Sequence, residues 1–191
     1  WETRRYRLDQ IRNVDLYSSV WDSPAIAHTL IGFSFDDGSQ VVFSAEIRRE
    51  RHEAFSEIGG FFKEFELAMI AADPDDIIRV RTDVRGEQVS RFRLRLTREQ
   101  AQALFLSYLA RANELAARPE FYQTITSNCT TVIFKLARLV DPRIPIDWRI
   151  LFSGYLPDYL YELGIISTDV PLAETRRRAI IAPMKSSTRL Q

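Results

Sequence analysis

The sequence has little cysteine, little histidine and no long apolar run. Each of these shortages excludes or disfavours a class of protein or site. Its one cysteine, Cys129, cannot form an internal disulfide, so cysteine usage does not separate a reducing compartment from an oxidising one. Lys and Arg together number 26, as do Asp and Glu, so no overall field favours nucleic acid as a partner. No stretch approaches the ~20 apolar residues that span a bilayer.

The amino terminus also lacks the basic start, apolar middle and small-residue cleavage site of a signal peptide. The chain begins at Trp1 rather than Met, which is typical of a processed or trimmed product, so a missing leader or anchor says little about the natural gene. At 191 residues we expect one domain over 1–191, with 1–20 and 168–191 as peripheral extensions. One Cys and two separated His supply too few ligands for a metal, and we expect no cofactor.

Period-two alternation in HTLIGFSF and VVFSAEIR, with DDG between them, predicts a β-hairpin. If both apolar sides share one face, the register centres on Asp37. That register places His28 opposite Glu46, with Ser44 diagonal to it. We therefore expect a polar trio on the face that the aromatic residues of the hairpin do not occupy.

The remaining segments indicate an α+β protein. DIIRVRTDV and EQVSRFRLRL alternate Arg with apolar residues and are interpreted as two strands, whereas FFKEFELAMIAA fits either a helix or a strand. Thr97 and Gln100 form a capping box that predicts a helix running towards Pro119. The stretch from Trp148 to Ile166 is expected to pack on the core, and AETRRRAIIAPMKSSTRLQ to form a solvated tail.

Cys129 lies where a second helix is expected to begin, with Ser127 or Asn128 as its N-cap. The positive end of the helix dipole and the unpaired N–H groups there favour a thiolate. Small polar neighbours, Asn128 and Thr130, leave room for a substrate carbonyl, and together with Tyr122 they are candidate substrate-binding residues. The alternative is an inert, buried cysteine.

Of the two histidines, His28 is the candidate general base, because Glu46 or Ser44 on the same strand face can orient its ring. His52 lies in the charge-dense RRERHEA, which is typical of a solvated loop. A histidine hydrogen-bonded within the sheet is the alternative interpretation of His28. Arg79 and Arg81 either lie on the solvent-exposed face of a sheet or line a groove for an anionic substrate.

Several motifs in order resemble those of one bacterial family. They are WDSPAIAHTLIGFSFDDG, FSAEIRRE, GGFFKEFEL, DDIIRVRT, RANELAARPEFYQTITSNCTT and IPIDWRILFSGYLPDYLYELGII, which together cover about Trp21 to Leu163. They resemble the Lnb N-terminal periplasmic domain family. The resemblance implies a circularly permuted papain-like (NlpC-like) fold, with an antiparallel sheet packed against helices and the cysteine at a helix N-terminus.

The resemblance also implies a function. Some members are similar to lipoprotein N-acyltransferases, so Cys129 would accept the acyl group, His28 would act as base, and Glu46 or Ser44 would be the third group. A lipid or lipoprotein substrate and a periplasmic location are implied, with membrane association only through segments absent from this chain. Two alternatives stay open: a peptide or cell-wall amide hydrolase of the same fold, and a catalytically silent binding module.

Overall fold

The computed structural model describes residues 2–21, 23–48, 66–121, 133–134, 137–138 and 142–183. Five strands form the centre of the described part: β1 (Ile11–Val20), β2 (Ala27–Phe35), β3 (Gln40–Arg48), β4 (Glu66–Ala72) and β5 (Gln88–Leu94). Four α-helices lie wholly within the described residues: α1 (Pro74–Arg79), α2 (Arg98–Ala117), α3 (Leu156–Glu162) and α4 (Leu172–Ala179). A π-helical turn (Val80–Val84) continues α1, and short 3₁₀ turns occupy Leu8–Gln10, Trp148–Ile150 and Ser153–Tyr155. Among these helices none is both long and apolar enough to cross a membrane.

The strands form one antiparallel sheet in the order β4-β3-β2-β1-β5. The predicted hairpin is β2 and β3, and its register is confirmed, with Leu30 opposite Ser44 and Ile31 opposite Phe43. Gly38 takes the positive φ of 85° that closes the turn. The α+β class is likewise confirmed.

The two faces of the sheet are covered differently. Helix α2 packs Leu104, Phe105 and Tyr108 onto one face, against an aromatic core that includes Phe33 and Phe43. The opposite face carries a smaller apolar cluster, which α1 covers with Ile78. Its members are Tyr17, Leu30, Val42, Ile78 and Val89. Strand alternation therefore assigns His28, Ser44 and Glu46, which share parity with Leu30 and Val42, to this second face.

DIIRVRTDV is not a strand, so that prediction was wrong. The segment is helical through α1 and the π-helical turn, because Pro74 stands in the first turn, where a missing N–H costs nothing, beside Asp75 and Asp76. Its buried residues, Ile78, Arg81 and Thr82, follow helical spacing. EQVSRFRLRL does form a strand, β5.

Residues 173–183 of the predicted solvated tail are structured instead, and residues 184–191 lie outside the described residues. Residues 172–179 form α4, Ile180 bridges Ser90 on β5, and Ile181 donates to the Val89 carbonyl. The three consecutive arginines favoured a solvated tail in the sequence analysis. In the structure, however, Arg176 donates to Asp158 and to the Gly154 carbonyl and so ties the helix to the domain. The stretch from Trp148 to Ile166 packs on the core as predicted, through Ile150, Leu156, Tyr159 and Ile166.

The capping box at Thr97 is confirmed. Its hydroxyl accepts from the Gln100 backbone N–H at 3.2 Å, and the Gln100 side chain accepts from the Thr97 N–H at 2.9 Å. Both residues satisfy groups that would otherwise be unpaired at the helix start. The cap fixes where the main core helix begins.

Replacing Thr97 by Ala removes the acceptor for the Gln100 N–H without disturbing the core, since Thr97 is exposed. We expect the free energy of unfolding in urea to fall by about 1 kcal/mol. Thr97→Ser keeps the hydroxyl and should stay within a few tenths of a kcal/mol of the wild type. Equal losses in the two variants would contradict the capping role.

Candidate functional site

Six polar side chains meet at one end of the second face, where β1 and β3 end and β2, β4 and β5 begin. We call Ser19, His28, Ser44, Glu46, Arg81 and Glu87 the His28 cluster. β1 and β2 place Ser19 directly opposite His28, β3 supplies Ser44 and Glu46, and the π-helical turn supplies Arg81. Glu87 immediately precedes β5.

His28 is held through its Nε2 atom. That nitrogen lies 2.7 Å from Ser44 Oγ and 3.1 Å from Glu46 Oε1, and Ser44 Oγ donates to Glu46 Oε1 at 2.6 Å. An ionised carboxylate only accepts, so the Ser44 hydrogen points to Glu46 and its oxygen accepts from His28. This arrangement assigns the proton to Nε2 and leaves Nδ1 as the basic atom of the neutral ring.

Glu46 Oε1 faces three donors, and it shares the single Nε2–H of His28 with Ser44 Oγ. Besides Ser44 and His28, the Arg81 Nη2 group donates to the same oxygen at 2.8 Å. Burial raises the pKa of Glu46, but the hydrogen bonds from His28 and Ser44 and the charges of His28 and Arg81 outweigh it and lower that pKa to about 2. Glu46 is therefore ionised at any physiological pH.

Arg81 is buried and bridges two carboxylates. Its Nη1 donates to Glu87 Oε2 at 3.1 Å while its Nη2 holds Glu46. Glu87 in turn accepts from Ser19 Oγ at 2.5 Å, and the more exposed Arg85 lies 3.6 Å from its other oxygen. The cluster is thus one continuous chain of hydrogen bonds from β1 to β3.

The structure brings together His28, Ser44, Glu46 and Arg81. Arg79 lies apart, half-exposed and within 3.5 Å of Asp75 one helical turn earlier. Four predicted site residues lie outside the described residues: Tyr122, Asn128, Cys129 and Thr130. The expected loop at His52 lies outside them too.

Ser19 and Glu87 are members of the cluster that the sequence did not single out. Ser19 belongs to β1, whose amino-acid pattern fits a strand or a helical turn equally. Glu87 follows Gly86, whose φ of 67° turns the chain into β5, and nothing in its neighbours distinguishes it from a solvated turn residue. Only the register between β1 and β2 would have indicated Ser19.

An apolar cavity of about 130 Å³ lies beneath α2 and α3, on the face of the sheet that does not carry the His28 cluster. Leu16, Ile31, Ile133, Ala137 and Leu160 are among its lining residues. It is comparable in size to a cavity that accepts one benzene ring. Because Leu16 and Ile31 have the other strand parity, the sheet separates this cavity from His28.

No set of three or more metal-ligating side chains occurs among the described residues. The two acidic members of the cluster face Arg81, and one oxygen of each, Glu46 Oε1 and Glu87 Oε2, accepts from its guanidinium and from a hydroxyl. The chemistry of the donor set is therefore that of hydrogen-bonded charge pairs.

The family model of the Lnb N-terminal periplasmic domain matches residues 1–154. The chain belongs to this family. It is accordingly a periplasmic domain, and the match includes both the segment 1–20 and every residue of the His28 cluster. Searches of curated proteins and of solved structures find no match.

The depressed pKa of Glu46 makes stability depend on pH in a defined window. Ionised Glu46 contributes fully above its ordinary pKa of 4.5, and the contribution is lost as pH falls through about 2. Over that window we expect the stability advantage of the wild type over Glu46→Gln to shrink by about 3 kcal/mol, measured by urea unfolding. A difference that stays constant with pH would contradict the assignment. Glu114→Gln is the control: it replaces an exposed carboxylate, so its free energy of unfolding should change with pH as that of the wild type does.

Proposed function

We propose that this domain is a cysteine-dependent acyltransferase, similar to lipoprotein N-acyltransferases, with Cys129 as nucleophile and His28 as general base. The observation that supports this most is the hydrogen-bonded relay from His28 Nε2 through Ser44 to Glu46. Such a relay orients a base and fixes its tautomer, which thiol catalysis requires.

The fold that we propose is the circularly permuted papain-like, NlpC-like arrangement. The antiparallel sheet, the histidine on a strand that precedes the cysteine in the chain, and helical residues after Cys129 support it. Residues 133–134 and 137–138 are helical, and Ile133 packs on the main core. These observations fit a helix that begins near the cysteine.

The path of the chain also supports a cysteine near His28. Phe121 bridges Glu66, at the end of β4 that adjoins the last residues of β3. Cys129 is eight residues beyond Phe121 and four before Ile133, and an extended chain covers at most ~3.5 Å per residue. The segment therefore starts at the same end of the sheet as the His28 cluster, within reach of it.

In the acylation step, His28 Nδ1 takes the thiol proton of Cys129 and the thiolate attacks the carbonyl carbon of an ester or amide. Backbone N–H groups at the start of the predicted helix would stabilise the oxyanion. The imidazolium then returns its proton to the departing alcohol or amine. A thioester on Cys129 and a free leaving group result.

In the second step, His28 Nδ1 takes a proton from the incoming amine, which attacks the thioester carbonyl. The tetrahedral intermediate collapses, the thiolate leaves, and it regains the proton from the imidazolium. Glu46 stays ionised throughout and stabilises the positive ring through Ser44 and directly. If water replaces the amine, the same groups give a hydrolase.

Two substrate classes distinguish acyl transfer from cell-wall amide hydrolysis. An acyltransferase should form a thioester from long-chain p-nitrophenyl esters and pass the acyl group to an added amine. An amidase should instead cleave muropeptides. Mass spectrometry of the acylated protein, with Cys129→Ala as control, separates the two, and full turnover by that variant would overturn the proposal.

The coupling of thiol and histidine can be measured before a substrate is known. We expect the rate of alkylation by iodoacetamide to report a thiol pKa well below ~8.5, and we expect that pKa to rise in His28→Ala, where the imidazolium is lost. The unfolded protein supplies the ordinary thiol value. A native thiol whose pKa matches the unfolded value, or does not respond to His28→Ala in a folded variant, would contradict a Cys–His pair.

A further inference from the structure

Arg81 occupies an unusual place for a residue that would meet a substrate. Only about 5% of its surface is exposed, and its two terminal nitrogens donate to Glu46 and Glu87. The fork of a guanidinium suits this bridge, because it can bind two carboxylates at once. Its partners are therefore groups of the protein itself.

The partner that matters for His28 is Glu46 Oε1. His28 Nε2 and Arg81 Nη2 both approach this oxygen, at 3.1 Å and 2.8 Å. A carboxylate alone beside a histidine favours the imidazolium and raises the pKa of the ring. A cation on the same oxygen opposes that effect, through its own charge and by neutralising the carboxylate.

We propose that Arg81 is a positioning residue of the His28 site: it holds Glu46 and balances its charge, so that His28 is oriented by the carboxylate without being fixed as a permanent imidazolium. A general base is most effective when its pKa lies near the working pH. In this arrangement Ser19 binds Glu87, Glu87 binds Arg81, and Arg81 acts on His28 through its contact with Glu46 and through its own charge. The role in turnover rests on the proposed function; the effect on protonation does not.

The charged groups around His28 in the described part of the chain are accounted for on each neighbouring element. β3 contributes Glu46, and the π-helical turn contributes Arg81. Glu87 lies behind Arg81 and is paired with it and with Arg85. Farther along the same face, β1 and β5 place Tyr17 opposite Arg91, two positions along from Ser19, the residue that faces His28.

The test is the pKa of His28, followed by NMR of the imidazole Cε1–H signal against pH. The chain has two histidines, so the full chain carrying His52→Asn gives one signal. In this background we expect Arg81→Met to raise the pKa of His28 by about one unit or more, because a nearby positive charge is lost. Glu46→Gln should move it in the opposite direction.

Arg81→Met removes the cation that two largely buried carboxylates share, leaving them only hydroxyls, His28 and the more distant Arg85, and can unfold the protein. The double variant Arg81→Met/Glu87→Gln removes one charge of each sign and keeps the site closer to balance. Against Glu87→Gln alone, it should still raise the pKa of His28 by about one unit. A folded double variant in which that pKa is unchanged or lower overturns the proposal.

Arg81→Lys is the matched conservative variant. A lysine keeps the positive charge but loses the two-pronged geometry, so we expect the pKa of His28 to stay within about half a unit of the wild type. A shift as large as that of the double variant would show that charge is not what Arg81 supplies. These measurements need neither Cys129 nor a substrate, so a failure of the proposed thiol chemistry would leave their outcome intact.

Discussion

One partly buried oxygen, Glu46 Oε1, joins the elements of the polar end of this domain. A serine, a histidine and an arginine from β3, β2 and the π-helical turn all donate to it. Removing a carboxylate from water is costly, and only donors of this number and charge offset that cost. The strand register and the helical segment over the second face are both required to bring the donors together.

Much of the fold could be predicted because local pattern and burial agreed. Alternation along the hairpin has one register that buries Phe33 and Phe43 together, and that register also fixes His28 beside Ser44 and Glu46. The capping box at Thr97 marked its helix for a similar reason, since both hydrogen bonds are local. The alternation of Arg79 and Arg81 with apolar residues led to the wrong prediction of a strand, because alternation over so few residues does not separate a strand from a helix whose first turn begins with proline.

The rest of the site depends on contacts between distant segments. Nothing in the sequence indicates that Arg81 points inwards or that it pairs with Glu87, because each residue alone resembles a solvated surface charge. Ser19 could be found only after β1 had been paired with β2. The proximity of Cys129 to His28 stays a prediction, supported by family membership and by where the neighbouring described segments lie.

The π-helical turn gives the length of this segment a consequence of its own. Each residue of an α-helix advances by about 100° around the axis, so gaining or losing one residue between Ile78 and Arg81 would rotate Arg81 relative to Ile78 and away from Glu46. The junction of α1 with the wider turn places Ile78 in the apolar cluster and Arg81 beside Glu46. A relative with a shorter turn would need another cation, or no buried glutamate, at this place.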